Sequence, residues 1–345
     1  MAGTWDMTAQ LGGNALRFGW YFAVNQMMDR MARRHAPPST FRPERPVPSL
    51  GELLRDLAGL FVADAAAVRD GIYPPTTAEG RDLPRDIARI RAMIADLPGA
   101  VARRVERRTE TAATAPAEDA LPDYYVQDFH FQTGGYLTDE SARLYDVQVE
   151  TLFYGSANAM RRAALRPIAD FIRGRDQRTL ALLDVACGTG RLVRDLRTAW
   201  PALKLTGLDL SRAYLEEAER HMRGRRGATW IAANAEQIPL PDASQDIVTT
   251  VFLYHELPPE VRPRVTAEMA RVLKPGGLLV FVDSLQMGDK PGWDGLLEAF
   301  PVRFHEPYYR HYTIDDLDAQ FDAAGLSLVS KSTAFLSKVV AFRKR

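Results

Sequence analysis

The sequence predicts an α/β protein: a doubly wound, mostly parallel seven-stranded sheet with an antiparallel last strand, preceded by an N-terminal helical cap. Three observations lead there. From about residue 178, short apolar runs (ALLDVA, LKLTGLDL, TWIAAN, QDIVTTVFL, GLLVFVDS) alternate with amphipathic segments that begin near Arg191, Ser211 and Pro259. Strands that are apolar along their whole length are buried on both faces, as in a parallel sheet covered by helices. The chain then closes with a helix near residues 314–324 and two β runs, LSLVSKST and FLSKVVAFRK, joined by a short turn, the mark of an antiparallel hairpin. Third, the first 150 residues carry apolar positions at helical spacing, broken by proline.

The N-terminal elements follow in order. Residues 16–31 (LRFGWYFAVNQMMDRM) form an aromatic-rich helical stretch whose interruption by Asn25, Asp29 and Arg30 suits core or interface packing better than a bilayer surface. It is also the surface through which a homodimer would form. Residues 35–48 are dense in proline, which cannot continue a helix, so they read as a linker or strap. Two or three helices follow between residues 49 and 108, with Tyr73-Pro74-Pro75 as a break. Residues 109–122 are small, polar and proline-bearing, a second linker, and residues 123–135 form an aromatic loop before a helix near 139–153. The expected organisation is therefore a helical region at 1–122, a cap and linking helices at 123–177, and the sheet domain at 178–345.

Composition excludes several function classes. The 44 Lys+Arg balance 44 Asp+Glu, so no net field would gather a nucleic acid. With 46% hydrophobic and 26% charged residues the chain is ordinary globular material, neither disordered nor fibrous. No apolar run reaches the ~18 residues of a spanning helix. The single cysteine, Cys187, cannot close an internal disulfide, and no leader pattern follows Met1, which together point to a cytoplasmic location.

The chemistry concentrates at strand ends. The first strand runs into Asp184-Val185-Ala186-Cys187-Gly188-Thr189-Gly190 and directly into a helix, so Gly188 and Gly190 sit where backbone N–H groups meet a ligand. A dinucleotide fingerprint requires a third small residue where Val193 stands, and no Gly-Lys-Ser/Thr follows, so NAD and ATP lose ground to a nucleoside without a pyrophosphate. Asp209 closes the second strand, nineteen residues past Gly190, where a carboxylate can accept from both ribose hydroxyls; helix capping is its bland reading, and Ser211 is the better cap. Asn234-Ala235-Glu236 ends the third strand with an amide able to read an adenine edge. Phe252-Leu253-Tyr254-His255-Glu256-Leu257 ends the fourth, and RVLKPGG turns into the fifth.

Taken in order, DVACGTG, GLDLS, NAEQIPLPDASQDIV, FLYHEL and RVLKPGGLLVFVD resemble the class I S-adenosylmethionine-dependent methyltransferase domain, nearest to the ubiquinone/menaquinone-biosynthesis type. The resemblance covers roughly residues 178–283. It implies a Rossmann-like fold, S-adenosylmethionine as cofactor, and small-molecule acceptors. By position it implies that Asp184, Ala186, Gly188 and Gly190 face the methionine moiety, Asp209 the ribose, Leu210 and Ala235 the adenine surroundings, and Asn234 the adenine amino group. Two positions depart from the family pattern: Ala186 stands for the usual first glycine, an exchange expected to cost little, and Asn234 for the commoner acidic residue.

Methyl transfer from a sulfonium needs alignment and dryness more than a base. His255, between Tyr254 and Glu256 at the strand edge where such sheets bind ligands, is the candidate general base; packing or helix capping is its bland reading. Two clusters rich in Tyr and His are expected to wall the acceptor: Tyr124, Tyr125, His130, Phe131 and Tyr136, and the run from Phe304 through His305, Tyr308 and Tyr309 to Tyr312. No metal site is expected. The competing readings are a cofactor-binding protein that no longer methylates, such as an assembly factor or regulator, and an NAD-dependent oxidoreductase.

Overall fold

The computed structural model describes residues 2–36, 40–76, 83–108 and 121–345. The second expected linker lies almost wholly outside them. Contacts divide the chain into two interleaved compact units: Met1–Arg69, Pro75–Asn158 and Gly292–Pro307 form one, and Asp70–Pro74, Ala159–Pro291 and Tyr308–Arg345 the other. The cut thus falls at residues 158/159 instead of 177/178, and residues 292–307 join the helical unit, a long-range association that local patterning does not carry.

The helical unit contains α1 (Ala2–His35), α2 (Leu50–Arg69), α3 (Leu83–Glu106), α4 (Asp139–Leu152) and α10 (Asp294–Arg303). Helix α1 starts well before Leu16 despite Gly12, Gly13 and Gly19, each of which disfavours helix by about 1 kcal/mol against alanine. The compensation is tertiary. Gln10 Nε2 and Asn14 Nδ2, one turn apart and fully buried, both donate to Asp64 Oδ2 of α2, at 2.6 and 2.8 Å. Further along, Tyr21 and Val24 pack with Ile90, Met93 and Val147 of α3 and α4. Ser49 and Glu52 begin α2 with a reciprocal capping box. The proline-rich stretch acts as a strap: Glu298 of α10 accepts from the N–H groups of Glu44 and Arg45 at 2.8 and 3.1 Å, and Gly295 donates to Pro46 at 2.9 Å.

The other unit is built on the sheet: β1 (Ala181–Val185), β2 (Lys204–Asp209), β3 (Thr229–Ala232), β4 (Gln245–Val251), β5 (Leu273–Ser284), β6 (Leu326–Ala334) and β7 (Ser337–Lys344). Their order is 3-2-1-4-5-7-6. The first five strands pair in parallel, while β7 is antiparallel to both β5 and β6. The expected architecture is present strand for strand. Helices α6 (Leu165–Ile172), α7 (Arg191–Ala199), α8 (Arg212–Met222), α9 (Arg262–Val272), α11 (Tyr309–Tyr312) and α12 (Leu317–Ala323) belong to this unit, and α5 (Ala157–Arg162) straddles the boundary. Strand β6 is an edge, with six of its nine residues exposed in a row after Ser327 and a register irregularity at Val329. The order places β1 beside β4, with Val185 paired to Thr250, and the chain winds away from this pair in both directions. That is the switch point at which open α/β sheets bind ligands, outside the carboxyl ends of the strands.

Among the described residues no helix is long and apolar enough to cross a membrane. Trp5, Leu16, Trp20 and Phe22 of α1 remain exposed.

Two glycines test the helical unit in opposite directions. Gly155 has φ +79°, and a Cβ there would lie 2.8 Å from the carbonyl oxygen of Arg17 on α1. Gly155→Ala is expected to lower the unfolding free energy by about 2 to 4 kcal/mol, from left-handed strain plus overpacking. A Cβ at Gly12 meets nothing within 4 Å, so Gly12→Ala should raise it by about 1 kcal/mol. Urea unfolding of both variants checks the pair.

Candidate active site

At the end of β1 the chain turns through Ala186, Gly188 and Gly190, all left-handed with φ of 56°, 53° and 69°. The expectation that alanine costs little at 186 is corrected here: an L-residue in this conformation costs about 1–2 kcal/mol, because its Cβ crowds the following carbonyl. The two glycines serve different ends. A Cβ on Gly190, the N-cap of α7, would sit 2.8 Å from the Ala218 Cβ and 3.0 Å from the Trp230 ring, so this glycine permits close packing. A Cβ on Gly188 would meet nothing within 4 Å; it would project into open space in front of the turn.

Asp209, at the end of β2, holds this turn. Its Oδ2 accepts from Gly188 N at 2.8 Å and its Oδ1 from Ser211 N at 2.9 Å. Ser211 caps α8, as its sequence position suggests. Burial pushes the Asp209 carboxyl up to about 6, against the downward pull of those N–H groups. Asp184 Oδ1 accepts from the Thr249 hydroxyl at 2.7 Å. Burial pushes its carboxyl up to about 7, Thr249 and Arg161 oppose the rise, and the neighbouring Asp209 adds to it. Leu210 and Ala235 are half-buried beside β2 and β3. Asn234 Oδ1 accepts from Glu236 N at 2.9 Å, and its Nδ2 donates to Glu236 Oε1 at 3.1 Å, so the amide organises its own turn.

Phe252, with φ 60°, bends the chain out of β4 into a single turn, Tyr254–Glu256. His255 Nδ1 donates to Asp283 Oδ1 at 2.5 Å, which leaves Nε2 as the acceptor nitrogen, 3.7 Å from Glu256 Oε1. The rings of Tyr309 and Tyr312 each stand edge-on, 6.0 Å away. Tyr254 points elsewhere. Its ring packs on Phe281 and Phe321 in the core and its hydroxyl meets Thr266 Oγ1 at 2.6 Å. Burial pushes that phenol far above its ordinary value, which suits a packing residue and not an acid or base.

The aromatic candidates divide between the units. In the sheet unit, Tyr309 shares a hydrogen bond with Ser284 Oγ at 2.7 Å, and the Tyr308 carbonyl accepts from Arg262 at 3.0 Å. In the helical unit, His130 meets the Tyr136 hydroxyl through Nε2 at 2.9 Å and the fully buried Glu306 through Nδ1 at 2.7 Å. His305 Nε2 pairs with Gln127 Oε1 at 2.7 Å, and its carbonyl accepts from His130 N. Tyr124 takes part through its carbonyl, which accepts from the Gln127 amide at 2.5 Å.

Comparison with known proteins gives this geometry a family. A model described as a methyltransferase domain matches residues 182–277. The ubiquinone/menaquinone biosynthesis C-methyltransferase of Methylobacterium nodulans is 36% identical over 170 residues, 47% of this chain and 63% of that protein. The demethylmenaquinone methyltransferase of Thermotoga maritima is 30% identical over 172 residues, 50% of this chain and 70% of that protein. The chain belongs to the class I S-adenosylmethionine-dependent methyltransferase family. A solved S-adenosylmethionine-dependent methyltransferase from Methanosarcina mazei aligns with 52% of this chain and 97% of its own, at 20% identity and a TM-score of 0.42. The chain spans 63% and 56% of the first two curated relatives' lengths.

The family's cofactor is S-adenosylmethionine, and the turn fits it. The open space before Gly188 is the cradle a side chain would fill, and the adjoining carboxylates of Asp184 and Asp209 suit the ammonium and hydroxyl donors of a nucleoside amino acid. Two residues of this methyltransferase domain escape sequence reading. Asp283 ends β5 inside an apolar run, where an acidic residue was the only signal; its Oδ2 also accepts from Tyr254 N at 2.7 Å. Arg262, fully buried in the first turn of α9, runs against the helix dipole, and that anomaly was the clue.

The raised Asp184 carboxyl sets a sign for pH dependence. Its folded value of about 7 lies above the unfolded value, so the folded chain binds the proton more tightly, and stability falls as pH rises from near 4 to about 7. Asp184→Asn removes that slope. Its melting temperature in the absence of cofactor should exceed that of the unaltered chain, by more at about pH 8 than at about pH 5; thermal melts at both values check this.

Proposed function

We propose that this chain catalyses transfer of a methyl group from S-adenosylmethionine to a small-molecule acceptor at O, S, N or activated carbon, with His255 as general base. One observation carries the reading. The glycine turn held by Asp209 and the histidine held by Asp283 stand at the carboxyl ends of adjacent strands, β1 and β4. When bound, the cofactor supplies a methyl group on a positively charged sulfur, an electrophile that needs no further activation.

The chain's residues supply placement and proton traffic. The Gly188 backbone leaves room for the sulfonium-bearing chain, and Asp209 offers its carboxylate to the ribose hydroxyls. His255 Nε2 takes a proton from the acceptor while Asp283 fixes the tautomer and faces the imidazolium that results. The Tyr309 and Tyr312 rings keep water from the imidazole. The names of the relatives, a ubiquinone/menaquinone biosynthesis C-methyltransferase and a demethylmenaquinone methyltransferase, support a ring-bearing acceptor for this chain.

Two measurements separate the cofactor role from the base role. Asp209→Ala should weaken binding of S-adenosylmethionine or its demethylated product by about 1.5 to 3 kcal/mol, the cost of losing hydrogen bonds to a charged group. Unchanged affinity in calorimetry would remove Asp209 from the ribose site. His255→Ala should leave that affinity intact and lower turnover by about 10² to 10⁴, with Asp283→Asn following in the same direction through the wrong tautomer. A His255→Ala enzyme with full turnover across pH would end its role as base, and cofactor binding with no methyl transfer to any acceptor would favour a binding protein.

A further inference from the structure

The helical unit holds a half-open cavity of about 210 Å³ lined by α1, α3, α4 and the end of α10. Its wall is mostly apolar, with Met28, Met93, Leu97, Phe131, Tyr145 and Phe304 among the lining residues. Polar side chains line it as well, Asp29, Asp96, Arg104 and Arg303 among them, and three more carry acceptor atoms with nothing to accept. The Oδ1 of Asn25, the Oε1 of Gln148 and the Oγ1 of Thr151 are covered from water and have no hydrogen-bond partner. Asn25 and Thr151 are 7% and 6% exposed. Asn25 Nδ2 donates to the Thr151 carbonyl at 3.1 Å, which settles which end of the amide is left as acceptor. A buried acceptor without a donor is costly, and three on the residues lining one cavity favour a ligand that brings a donor.

Size and lining narrow the ligand. An apolar cavity of about 150 Å³ takes a benzene ring, so the covered part of this one takes a single ring with a small substituent. Aromatic faces and methionine thioethers favour an aromatic ring over an aliphatic one. Acceptor oxygens call for a donor on it, and a hydroxyl supplies one. The backbone adds a further sign: His130 and Phe131, consecutive and both lining the cavity, are left-handed with φ of 56° and 58°, a strain that tends to persist at binding sites.

We propose that this cavity is a binding site for a monocyclic phenol. The ring lies among Phe131, Tyr145 and Phe304, and the hydroxyl donates its one proton to an acceptor among Asn25 Oδ1, Gln148 Oε1 and Thr151 Oγ1. Gln148 lines the same cavity and is half-buried. The site is independent of the methyl-transfer reading, because every residue in it belongs to the helical unit and binding needs no cofactor.

Calorimetric titration of the full chain, without S-adenosylmethionine, compares 4-methylphenol with p-xylene, which has the same shape and a methyl in place of the hydroxyl. The phenol should bind at least about tenfold more tightly, since only it brings a proton to one of the acceptors. The double change Gln148→Met, Thr151→Val should reduce that preference while p-xylene affinity is unchanged, and Ala100→Phe, which fills the cavity, should remove both ligands. Equal affinity of the two probes for the unaltered chain overturns the proposal, as does binding of neither. Phenol binding that survives Ala100→Phe overturns it too. The comparison on the unaltered chain stands even where a variant fails to fold.

Discussion

The candidate active site hangs on one buried cation. Arg262 is fully enclosed, and its guanidinium donates to the Tyr254 carbonyl at 2.9 Å, the Tyr308 carbonyl at 3.0 Å and Asp315 Oδ2 at 2.8 Å, with His311 Nδ1 at 2.9 Å. It also lies over the Tyr312 ring, 5.7 Å from its centre. A charge taken out of water must be paired and hydrogen-bonded in all directions, so the groups around Arg262 are held where they satisfy it. Those groups are the turn that carries His255 and the short helix that carries Tyr309 and Tyr312. Geometry at the imidazole therefore follows from a residue that does not touch it.

A second constraint comes from the sheet itself. Parallel strands end together along one edge, and the polar residues that end them face each other across short distances. Asp184 and Asp209 are both forced upward by burial, and Asp209 adds to the rise at Asp184. Hydrogen bonds from Thr249, Gly188 and Ser211 offset part of this. The free turn thus holds carboxylates whose unmet demand is for positive or donor groups, the complement of an amino-acid-bearing nucleoside.

The strands were legible because each parallel strand is a continuous apolar run, and the cofactor turn because glycines, Asp184 and Asp209 recur at fixed offsets from strand ends. Legibility failed wherever a partner far along the chain decides the outcome. The glycines of α1 speak against helix before Leu16, and only Asp64, some fifty residues on, overrules them. Tyr254 and His255 are neighbours in sequence with opposite fates, one turned into the core by Thr266 and Phe281, the other held by Asp283. The run from Phe304 to Tyr312 looks like one aromatic cluster, yet the division into units passes between Pro307 and Tyr308. Nothing in local spacing marks that seam.

The exposed edge strand β6 has its own consequence. A sheet ending in an unpaired strand presents a row of N–H and C=O groups to which another chain could add, and Leu328 and Val329, more than half exposed, would make the addition adhesive. The register irregularity at Val329 interrupts that row, and Lys331, in reach of Asp289 and Asp318, sets a charge along it. A strand from a second copy would meet a kink and an ammonium group within three residues of each other. The last hairpin thus ends the sheet in a physical sense as well as a topological one.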